Sequence, residues 1–471
     1  MKRKVLFLLC ACVMLGACTN VNGGQDYSNQ VPFEDSARDG GDDSETGRKT
    51  EIEGRTEENG SSADTMEGQN QNEEGEAVSG EIVRLGEGHE EEIAPVKLAD
   101  QYEQAAFFAD RIYETNRENV LVSPLSLNVA LGLAAQGASG ETAKELYHYL
   151  GTERYADWVD SYMTYAEGLE SDGNNNAKYS FSYKLANSIW VKKDEKLNPD
   201  YQKSVQDKFR AQAENVDFVK EADRTAQKIN SWCDEHTEGL IKKMVEPDMF
   251  SPGLMAILMN SVYFESPWKK SWRTEEHEFQ NLTGGSTTQE MLFDTVETYY
   301  ENAYATAFAK DYYNGFQFIG ILPKSEGNFS LSDLDLKSLL ASASHEYDVK
   351  ACMPRLNYET MTKTKNIVAI LKAQGIWQAF DPKAAEFHNM VDGQDLYIDD
   401  ILQKCRIELD EEGTRAAAVT AILMRKQALA IEREKEIKEV YLDRPFAFLI
   451  YDSQNDQIVF AGKVISANSK D

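Results

Sequence analysis

The chain is poor in the residues that build metal sites and catalytic centres. It has only six histidines among 471 residues, and no two of them lie at ligand spacing from each other. They are His89, His148, His236, His277, His345 and His388. The nucleophile elbow G-x-S-x-G, the H-E-x-x-H motif, the P-loop and the glycine-rich dinucleotide fingerprint are all missing from the sequence. We therefore expect no metal, no cofactor and no enzymatic activity, with each histidine at the surface or hydrogen-bonded in the core.

Cysteine is equally scarce, and its distribution excludes a disulfide framework. Two of the six cysteines fall within the first twelve residues, and a third is Cys18. The others are Cys233, Cys352 and Cys405, which are too far apart in sequence to suggest a metal site or paired bridges. We expect these three to be buried or free thiols.

Basic residues are outnumbered, with 49 Lys and Arg against 80 Asp and Glu, a net charge of -31. This acidity disfavours nucleic acid and anionic membranes as partners. About -16 of the charge lies between Thr19 and Glu92, a tract with almost no aromatic or branched apolar residues. Such a tract cannot form a core, so residues 19–95 are predicted to be a disordered acidic tether with a root-mean-square span of about 50 Å.

Long hydrophobic runs are limited to the N-terminus. Three basic residues at 2–4 precede an apolar run at 5–15, the layout of a secretory signal and too short for a permanent membrane span. The run ends in Leu-Gly-Ala-Cys at 15–18, which resembles the bacterial lipobox. This resemblance implies a signal peptide at 1–18, lipidation of Cys18 and a head domain held at the outer face of the membrane. An ordinary signal peptide cut near Ala17 is the alternative.

From Val96 onward the pattern changes to that of a folded domain, assigned to residues 96–471. Apolar residues recur at helical spacing from Tyr102 to Tyr113, and a second helix is predicted from Asn198 to Phe209. Four segments are predicted as strands: Tyr183 to Val191, Met255 to Phe264, Phe316 to Pro323 and Ile401 to Leu409. Ser123 is predicted to cap a helix that starts at Pro124.

The stretch from Glu411 to Gln427 has two interpretations. With a period of two, one face carries only small or apolar side chains and the other carries Arg415 and Arg425, as in a latent strand. The small or apolar face consists of Thr414, Ala416, Ala418, Thr420, Ile422 and Met424. With a period of 3.6, the same alanine-rich run makes an exposed helix capped by Thr414.

The sequence Glu411-Glu412-Gly413-Thr414, followed by Ala416, Ala417 and Ala418, resembles the hinge of the reactive loop in serpins. The C-terminal pattern at 444–452 and 458–464 is similar to the buried strand hairpin that ends this family. The resemblance implies an α+β serpin fold with three β-sheets, about eight to nine helices and an exposed reactive loop at about 411–440.

The same resemblance assigns a sheet-opening region. It implies that Ser123 and Ser126 lie under the centre of the main sheet and that Asn260 and Trp268 flank the site of opening. Gln403 stands where many serpins place a histidine in a central hydrogen-bonded cluster. Because glutamine both donates and accepts, the cluster is expected to persist without the pH dependence of an imidazole.

The function implied is irreversible inhibition of extracellular serine, or cysteine, endopeptidases by a monomer. The target protease would cleave the loop, form an acyl-enzyme and be trapped as the cleaved loop inserts into the main sheet. Family spacing from Glu411 implies a scissile bond at Gln427–Ala428, although Arg425, Lys426 or Arg433 also suits a trypsin-like target. Two alternatives remain: a non-inhibitory binding module with the serpin fold, and a solute-binding lipoprotein.

Overall fold

A computed structural model of the chain describes residues 100–175, 181–392, 396–414 and 435–467. The predicted signal peptide, the tether, Cys18 and the loop residues 415–434 lie outside these ranges. Within them the chain forms eight α-helices and three β-sheets. This confirms the α+β fold with three sheets.

The helices lie mainly in the first half of the domain. In chain order they are α1 (Gln101–Asn116), α2 (Pro124–Gly137), α3 (Gly140–Tyr149), α4 (Tyr155–Asn175), α5 (Pro199–Phe209), α6 (Ala222–His236), α7 (Leu336–Ala341) and α8 (Asn366–Ala373). Helix α2 begins as predicted, because the Ser123 hydroxyl accepts a hydrogen bond from the Ser126 N–H and Pro124 occupies the first helical position. Four short 3-10 helices occur in the connections at 247–249, 313–315, 331–334 and 378–380.

The main sheet has six strands in the order β11-β12-β13-β4-β2-β3. Their bounds are β2 (Ser182–Lys192), β3 (Gln212–Val216), β4 (Ala256–Pro267), β11 (Leu356–Met361), β12 (Asp400–Leu409) and β13 (Gly413–Thr414). The predicted strands at 183–191, 255–264 and 401–409 are therefore β2, β4 and β12. All three are confirmed to within a few residues.

The second sheet has the order β1-β16-β15-β9-β8-β7, and the small sheet the order β14-β10-β6-β5. The strands of the second sheet are β1 (Val120–Val122), β7 (Thr298–Glu301), β8 (Ala305–Asp311), β9 (Phe316–Pro323), β15 (Phe446–Asp452) and β16 (Gln457–Val464). Those of the small sheet are β5 (Arg273–Gln280), β6 (Ser286–Val296), β10 (Tyr347–Met353) and β14 (Glu436–Tyr441).

The C-terminal hairpin β15–β16 lies at the centre of the main hydrophobic core, as its apolar run predicts. The Phe448 ring stacks on Phe318 at 5.2 Å and lies directly over Gly462 on the neighbouring strand. A Cβ atom at Gly462 would fall inside the van der Waals radius of the Phe448 ring, so the close packing here requires glycine.

The main sheet is buried on both faces. One face packs on the main core with α2 and the second sheet, and the other carries a smaller core against α6. In this smaller core, Trp190 from β2 and Met259 from β4 are fully buried with Ile229 from α6. Any strand that entered the centre of this sheet would therefore exchange solvent for two apolar layers.

Cys233, Cys352 and Cys405 are buried free thiols, as predicted. No group of three His, Cys, Asp or Glu side chains in the described ranges is arranged to hold a metal ion. Among the helices of those ranges, none is long and apolar enough to cross a membrane.

Candidate functional site

Strands β12 and β4 are paired along only part of their length. They run parallel and in register from Asp400 to Lys404 against Ile257 to Ser261. Beyond that point they separate, and the two-residue strand β13 lies between them, pairing Thr414 with Leu409 on one side and with Ser266 on the other. The main sheet is thus closed at one end and is entered at the other by the start of the hinge sequence.

A tight turn reverses the chain before this short strand. The Asp410 carboxylate accepts hydrogen bonds from the N–H groups of Glu412 at 2.9 Å and Gly413 at 3.2 Å, and the Asp410 N–H donates to the Gly413 carbonyl at 3.0 Å. A Cβ atom at Gly413 would lie 2.7 Å from the Pro267 Cα atom and even closer to the Ser266 carbonyl oxygen. Because that obstacle is backbone, only glycine fits here without moving β4.

Thr414 is the last described hinge residue, and it is held inside the protein. Its side chain is 4% exposed, and its hydroxyl lies 2.6 Å from the Tyr312 hydroxyl. Burial raises the pKa of Tyr312 well above its ordinary value, so this phenol stays protonated. The Tyr312 ring stacks on Trp268 with centroids 3.9 Å apart.

Two tryptophans fix the backbone of the turn. The Trp268 indole N–H donates to the Asp410 carbonyl at 2.9 Å, and the Trp268 backbone N–H donates to the Glu412 carbonyl at 2.9 Å. The Trp272 backbone N–H donates to the Glu411 carbonyl, also at 2.9 Å. The site thus holds the turn chiefly through main-chain carbonyls, which leaves the side chains of Glu411 and Glu412 at the surface.

The charged side chains of the turn make exposed contacts. Glu411 forms an ion pair with Arg355, whose Nε lies 3.1 Å from a Glu411 carboxylate oxygen, and Ser271 donates to Glu412 at 3.0 Å. The hydrogen bond from Arg355 is the main cause that lowers the pKa of Glu411. Both partners of the pair are about one third exposed, so we expect its contribution to stability to be at most about 1 kcal/mol.

A buried ion pair between Asp294 and Lys310 lies next to Trp272. Asp294 lies 2.5 Å from Lys310, both almost fully buried, and its other oxygen lies 2.5 Å from Lys270. Burial alone would raise the pKa of Asp294, but the hydrogen bonds from the two lysines outweigh it and lower that pKa. The Lys310 ammonium also lies 4.7 Å from the centre of the Trp272 ring. The pair therefore fixes the tryptophan that holds Glu411.

At the centre of the sheet, Gln403 joins three elements. Its carbonyl oxygen accepts from the Ser123 N–H at 2.9 Å. Its amide nitrogen donates to the Ser123 backbone carbonyl at 2.9 Å and to the side-chain oxygen Oδ1 of Asn260 at 2.8 Å. Gln403 and Asn260 are also paired across β12 and β4. The side-chain amide of Gln403 thus links Ser123 to Asn260 through uncharged donor and acceptor groups.

Asn260 extends this cluster towards the start of α2 and the next strand. Its amide nitrogen donates to the Ser126 backbone carbonyl and, at 3.1 Å, to the side-chain oxygen Oδ1 of Asn187. The Ser123 hydroxyl donates to the Val459 carbonyl at 2.7 Å. The buried Ser126 hydroxyl and the Asn187 amide nitrogen, in contrast, have no partner among the described residues. The closed sheet therefore leaves these two polar groups buried and unsatisfied.

Cys405 is also part of this cluster, since its Sγ lies 3.4 Å from the Gln403 carbonyl oxygen. Complete burial raises the pKa of the Cys405 thiol far above its ordinary range. A thiol in this state is a poor nucleophile, which agrees with the expectation of an inert buried cysteine.

The predicted site residues fall into two places in the structure. Ser123, Ser126, Asn260 and Gln403 meet at the centre of the main sheet, and Trp268 lies at its open end with the hinge residues Glu411, Glu412, Gly413 and Thr414. Ala416, Ala417, Ala418, Arg425, Lys426, Gln427 and Ala428 lie outside the described residues.

Sequence reasoning missed four residues of the open end, namely Arg355, Trp272, Lys310 and Tyr312. The spacing of Trp272, four residues after Trp268 in sequence, gave no signal because the chain bends between β4 and β5 there and forms no helix. Arg355 and Tyr312 are far from the hinge in sequence, and only the fold brings them to it.

We expect the Gln403→Leu variant to unfold more easily, by about 3 kcal/mol or more. Leucine is of similar size, but it leaves the Ser123 N–H, the Ser123 carbonyl and the Asn260 carbonyl oxygen buried without their partner. Equilibrium unfolding in urea measures the difference.

Gln403→His is the matched control, because imidazole both donates and accepts. It should recover part of the lost stability near pH 8. Burial disfavours the imidazolium and lowers the folded-state pKa below the unfolded value of about 6.5, so its stability relative to wild type should fall as the pH falls below about 6.5. Equal stability of Gln403→Leu and wild type would contradict the bridging role.

Residues 103–467 match the family model described as Serpin (serine protease inhibitor). An uncharacterized serpin-like protein of Thermococcus kodakarensis is 30% identical over 367 residues, which cover 76% of this chain and 82% of the relative. Human neuroserpin is 28% identical over 368 residues, covering 74% of this chain and 86% of its own length.

The chain is also similar to solved serpin structures. The native state of tengpin, a thermophilic serpin, superposes with a TM-score of 0.65 at 29% identity and covers 79% of this chain and 95% of its own. Serpin48 from the insect Tenebrio molitor gives a TM-score of 0.66 at 24% identity over 78% of this chain and 97% of its own. The hinge turn, the parted strands and these matches lead to one conclusion: the chain belongs to the serpin family.

Proposed function

We propose that this protein inhibits extracellular endopeptidases irreversibly, as a suicide substrate. Members of the serpin family are in general protease inhibitors rather than enzymes, and some are non-inhibitory. The observation that carries the proposal is the position of Gly413 and Thr414, which already occupy the first two places of an additional strand between β12 and β4. A strand that continued from Thr414 would have to separate Gln403 from Asn260.

On this proposal the first step belongs to the protease. Its serine or cysteine nucleophile attacks the carbonyl carbon of the scissile peptide bond, the amine of the following residue leaves, and an acyl-enzyme remains on the new C-terminus of the loop. We place the bond at Gln427–Ala428, with Arg425 and Lys426 as alternatives for a trypsin-like target. The cut releases the hinge from the segment that leads to β14.

The second step belongs to the inhibitor. About fourteen residues, 414–427, would add to the centre of the main sheet and, at about 3.3 Å each, would carry the attached protease about 46 Å. Deacylation needs the oxyanion hole of the protease in place, so distortion of that hole would preserve the acyl bond.

The composition of the hinge supports this order of events. Along the predicted inward face from Thr414 to Met424, every side chain is small or apolar, so insertion desolvates no charge. Unsatisfied groups at the centre of the sheet also favour a rearrangement, since the Ser126 hydroxyl and the Asn187 amide nitrogen have no partner in the described part of the chain while the sheet is closed.

We further propose that the protein is exported and anchored to the outer face of a bacterial membrane as a monomeric lipoprotein. The sequence at 15–18 supports lipidation of Cys18, and the acidic tract at 19–95 supports a tether that holds the head away from the membrane. The head has its own core within residues 100–467, so it does not need the tether to bury apolar surface.

The test is to mix the purified protein with a panel of trypsin-like, elastase-like and cysteine endopeptidases, followed by denaturing gels and intact-mass analysis. We expect a denaturation-resistant adduct together with a released C-terminal peptide. The mass of that peptide identifies the scissile bond. The relative named leukocyte elastase inhibitor, from Xenopus tropicalis and 26% identical, makes an elastase-like enzyme a sensible member of the panel.

Clean cleavage by these proteases without any adduct would contradict the inhibitory mechanism. It would favour a non-inhibitory serpin that keeps the fold without loop insertion. Catalytically inactive forms of the same proteases are the matched control, because they bind the loop and form no acyl-enzyme.

A further inference from the structure

The closed end of the main sheet is held by a side chain as well as by the ladder between β12 and β4. The carboxylate of Asp399, one residue before β12, accepts hydrogen bonds from the Met255 N–H at 2.5 Å and the Ala256 N–H at 3.3 Å. The Asp399 N–H in turn donates to the Ala256 carbonyl at 3.0 Å. Asp399 is 7% exposed, so these bonds lie in a region of low dielectric constant, where they are strengthened.

The neighbouring Asp400 makes its contacts on the other side of β12. Both of its carboxylate oxygens accept from the Lys365 N–H, at 2.9 and 3.0 Å, and one also accepts from the Ile401 N–H at 2.9 Å. Lys365 lies between β11 and α8, and β11 is on the side of β12 away from β4. The Lys365 ammonium also donates to the Asp399 carbonyl at 2.5 Å. Of the two adjacent carboxylates, the one that joins β12 to β4 is therefore that of Asp399.

The registers on the two sides of β13 place Asp399 in the path of an inserting strand. Thr414 is paired with Leu409 and with Ser266, and each further residue of this antiparallel strand would move one place back along both β12 and β4. The tenth residue after Thr414 would then lie between Asp399 and Ala256. The register of the present β12–β4 ladder agrees with this position.

A strand at that position is incompatible with the present contacts of Asp399. Neighbouring strands lie about 4.8 Å apart, so an added strand would separate β12 from β4 by about 9.6 Å. The short aspartate side chain cannot cross that distance, and its carboxylate would have to release the Met255 and Ala256 N–H groups. The bonds of Asp400 do not cross the gap and would remain.

We propose that Asp399 is a latch at the closed end of the main sheet, which holds β12 to β4 in the intact protein and is released as loop insertion is completed. This inference rests on the proposed inhibitory function, since the release is a step of loop insertion. The open end of the sheet is already entered by Gly413 and Thr414, whereas the latch resists separation at the opposite end. Full opening then requires the ladder bonds that the incoming strand of the cleaved loop supplies.

The test compares wild type, Asp399→Ala and Asp400→Ala by scanning calorimetry at pH 8, each intact and after loop cleavage by a nonspecific protease. Burial raises the pKa of Asp400 to about 6, so its carboxylate is ionised in this buffer. Asp399→Ala should lower the unfolding midpoint of the intact protein by about 3 °C or more. The cleaved form should be unaffected, because the inserted strand has already broken the latch. Asp400→Ala is the matched control and should shift both forms equally.

Hydrogen exchange of the intact, full-length protein tests the latch without any protease. The Met255 and Ala256 amides should exchange about tenfold faster in Asp399→Ala than in the wild type, since a hydrogen bond to a charged group accounts for about that factor. Asp400→Ala should leave the exchange of these two amides unchanged.

Two results would overturn the latch. One is unchanged exchange of the Met255 and Ala256 amides in Asp399→Ala. The other is an equal loss of stability in intact and cleaved Asp399→Ala when cleavage makes the wild type more heat-resistant. If the wild-type midpoint does not move on cleavage, loop insertion fails and the release of Asp399 fails with it. Faster amide exchange in Asp399→Ala would still show, in that case, that Asp399 holds the closed sheet.

Discussion

On the proposed mechanism, the Thr414→Arg variant should be cut as an ordinary substrate by a protease that the wild type inhibits, and most of the variant should be consumed without forming an adduct. Thr414 is 4% exposed and its hydroxyl contacts Tyr312, so an arginine here has to place its cation in a closed aromatic site or withdraw from the sheet. Burying an unpaired charge costs several kcal/mol. Because about 1.4 kcal/mol is a factor of ten in rate, loop insertion should become at least tenfold slower than in the wild type.

The measurement is the number of inhibitor molecules consumed per protease molecule inactivated. It should rise about tenfold or more, while the rate of loop cleavage stays the same. Arg415→Glu is the matched control, since the alternation of the hinge predicts that this side chain faces outward and its charge change should have little effect. An unchanged stoichiometry in Thr414→Arg would show that inhibition does not require entry of this residue.

Cleavage within the loop should make the protein far more heat-resistant, raising the unfolding midpoint by about 20 °C or more. An inserted strand of about fourteen residues gains ladder hydrogen bonds on both sides, each with a net contribution of about 0.5–1.5 kcal/mol. It also buries its apolar face against the core below the main sheet. The thirteen residues after Thr414 would form about 26 such bonds, or about 13 kcal/mol at the lower estimate, and the loss of the five-residue β12–β4 ladder reduces this to about 10 kcal/mol, which is comparable to the total stability of most domains.

Scanning calorimetry of the intact and the cleaved protein tests this expectation. Limited proteolysis with a nonspecific protease that forms no adduct supplies the cleaved form, and mass analysis verifies a single cut between residues 415 and 434. Cleaved Thr414→Arg should gain much less. An unfolding midpoint that does not move on cleavage would mean that the loop stays outside the sheet, as in a non-inhibitory serpin.

The fold was largely predictable because its elements follow local rules. Period-two alternation identified β2, the family resemblance indicated β9, and the Ser-Pro start of α2 has a local cause in its cap and its proline. The helix at 198–209 begins with a capping Asn198 and a proline in the same way. In each of these elements the signal lies within a few neighbouring residues.

The contacts that hold the hinge were not predictable in this way. Tyr312 and Thr414 are 102 positions apart, and Arg355 and Glu411 are 56 apart, so no periodicity links them. Lys310 lies near the end of β8, where a lysine is expected to face solvent, but the fold buries it beside Asp294. The position of Gln403 in the central cluster came from the family resemblance, and its four contacts came only from the structure.

The hinge turn between Asp410 and Thr414 has a kinetic consequence. Adding a strand to the middle of a sheet has a slow nucleation step, in which the first residues lose their freedom before any ladder exists, and a faster propagation step. Here the first two residues are already ordered and hydrogen-bonded on both sides before any protease arrives. On the proposed mechanism, insertion after cleavage begins as propagation from Thr414. The outcome of each encounter then depends on two rates, the rate at which the remaining loop residues insert and the rate at which the acyl bond is hydrolysed. Because the turn is ordered beforehand, insertion needs no slow first step and is favoured over hydrolysis.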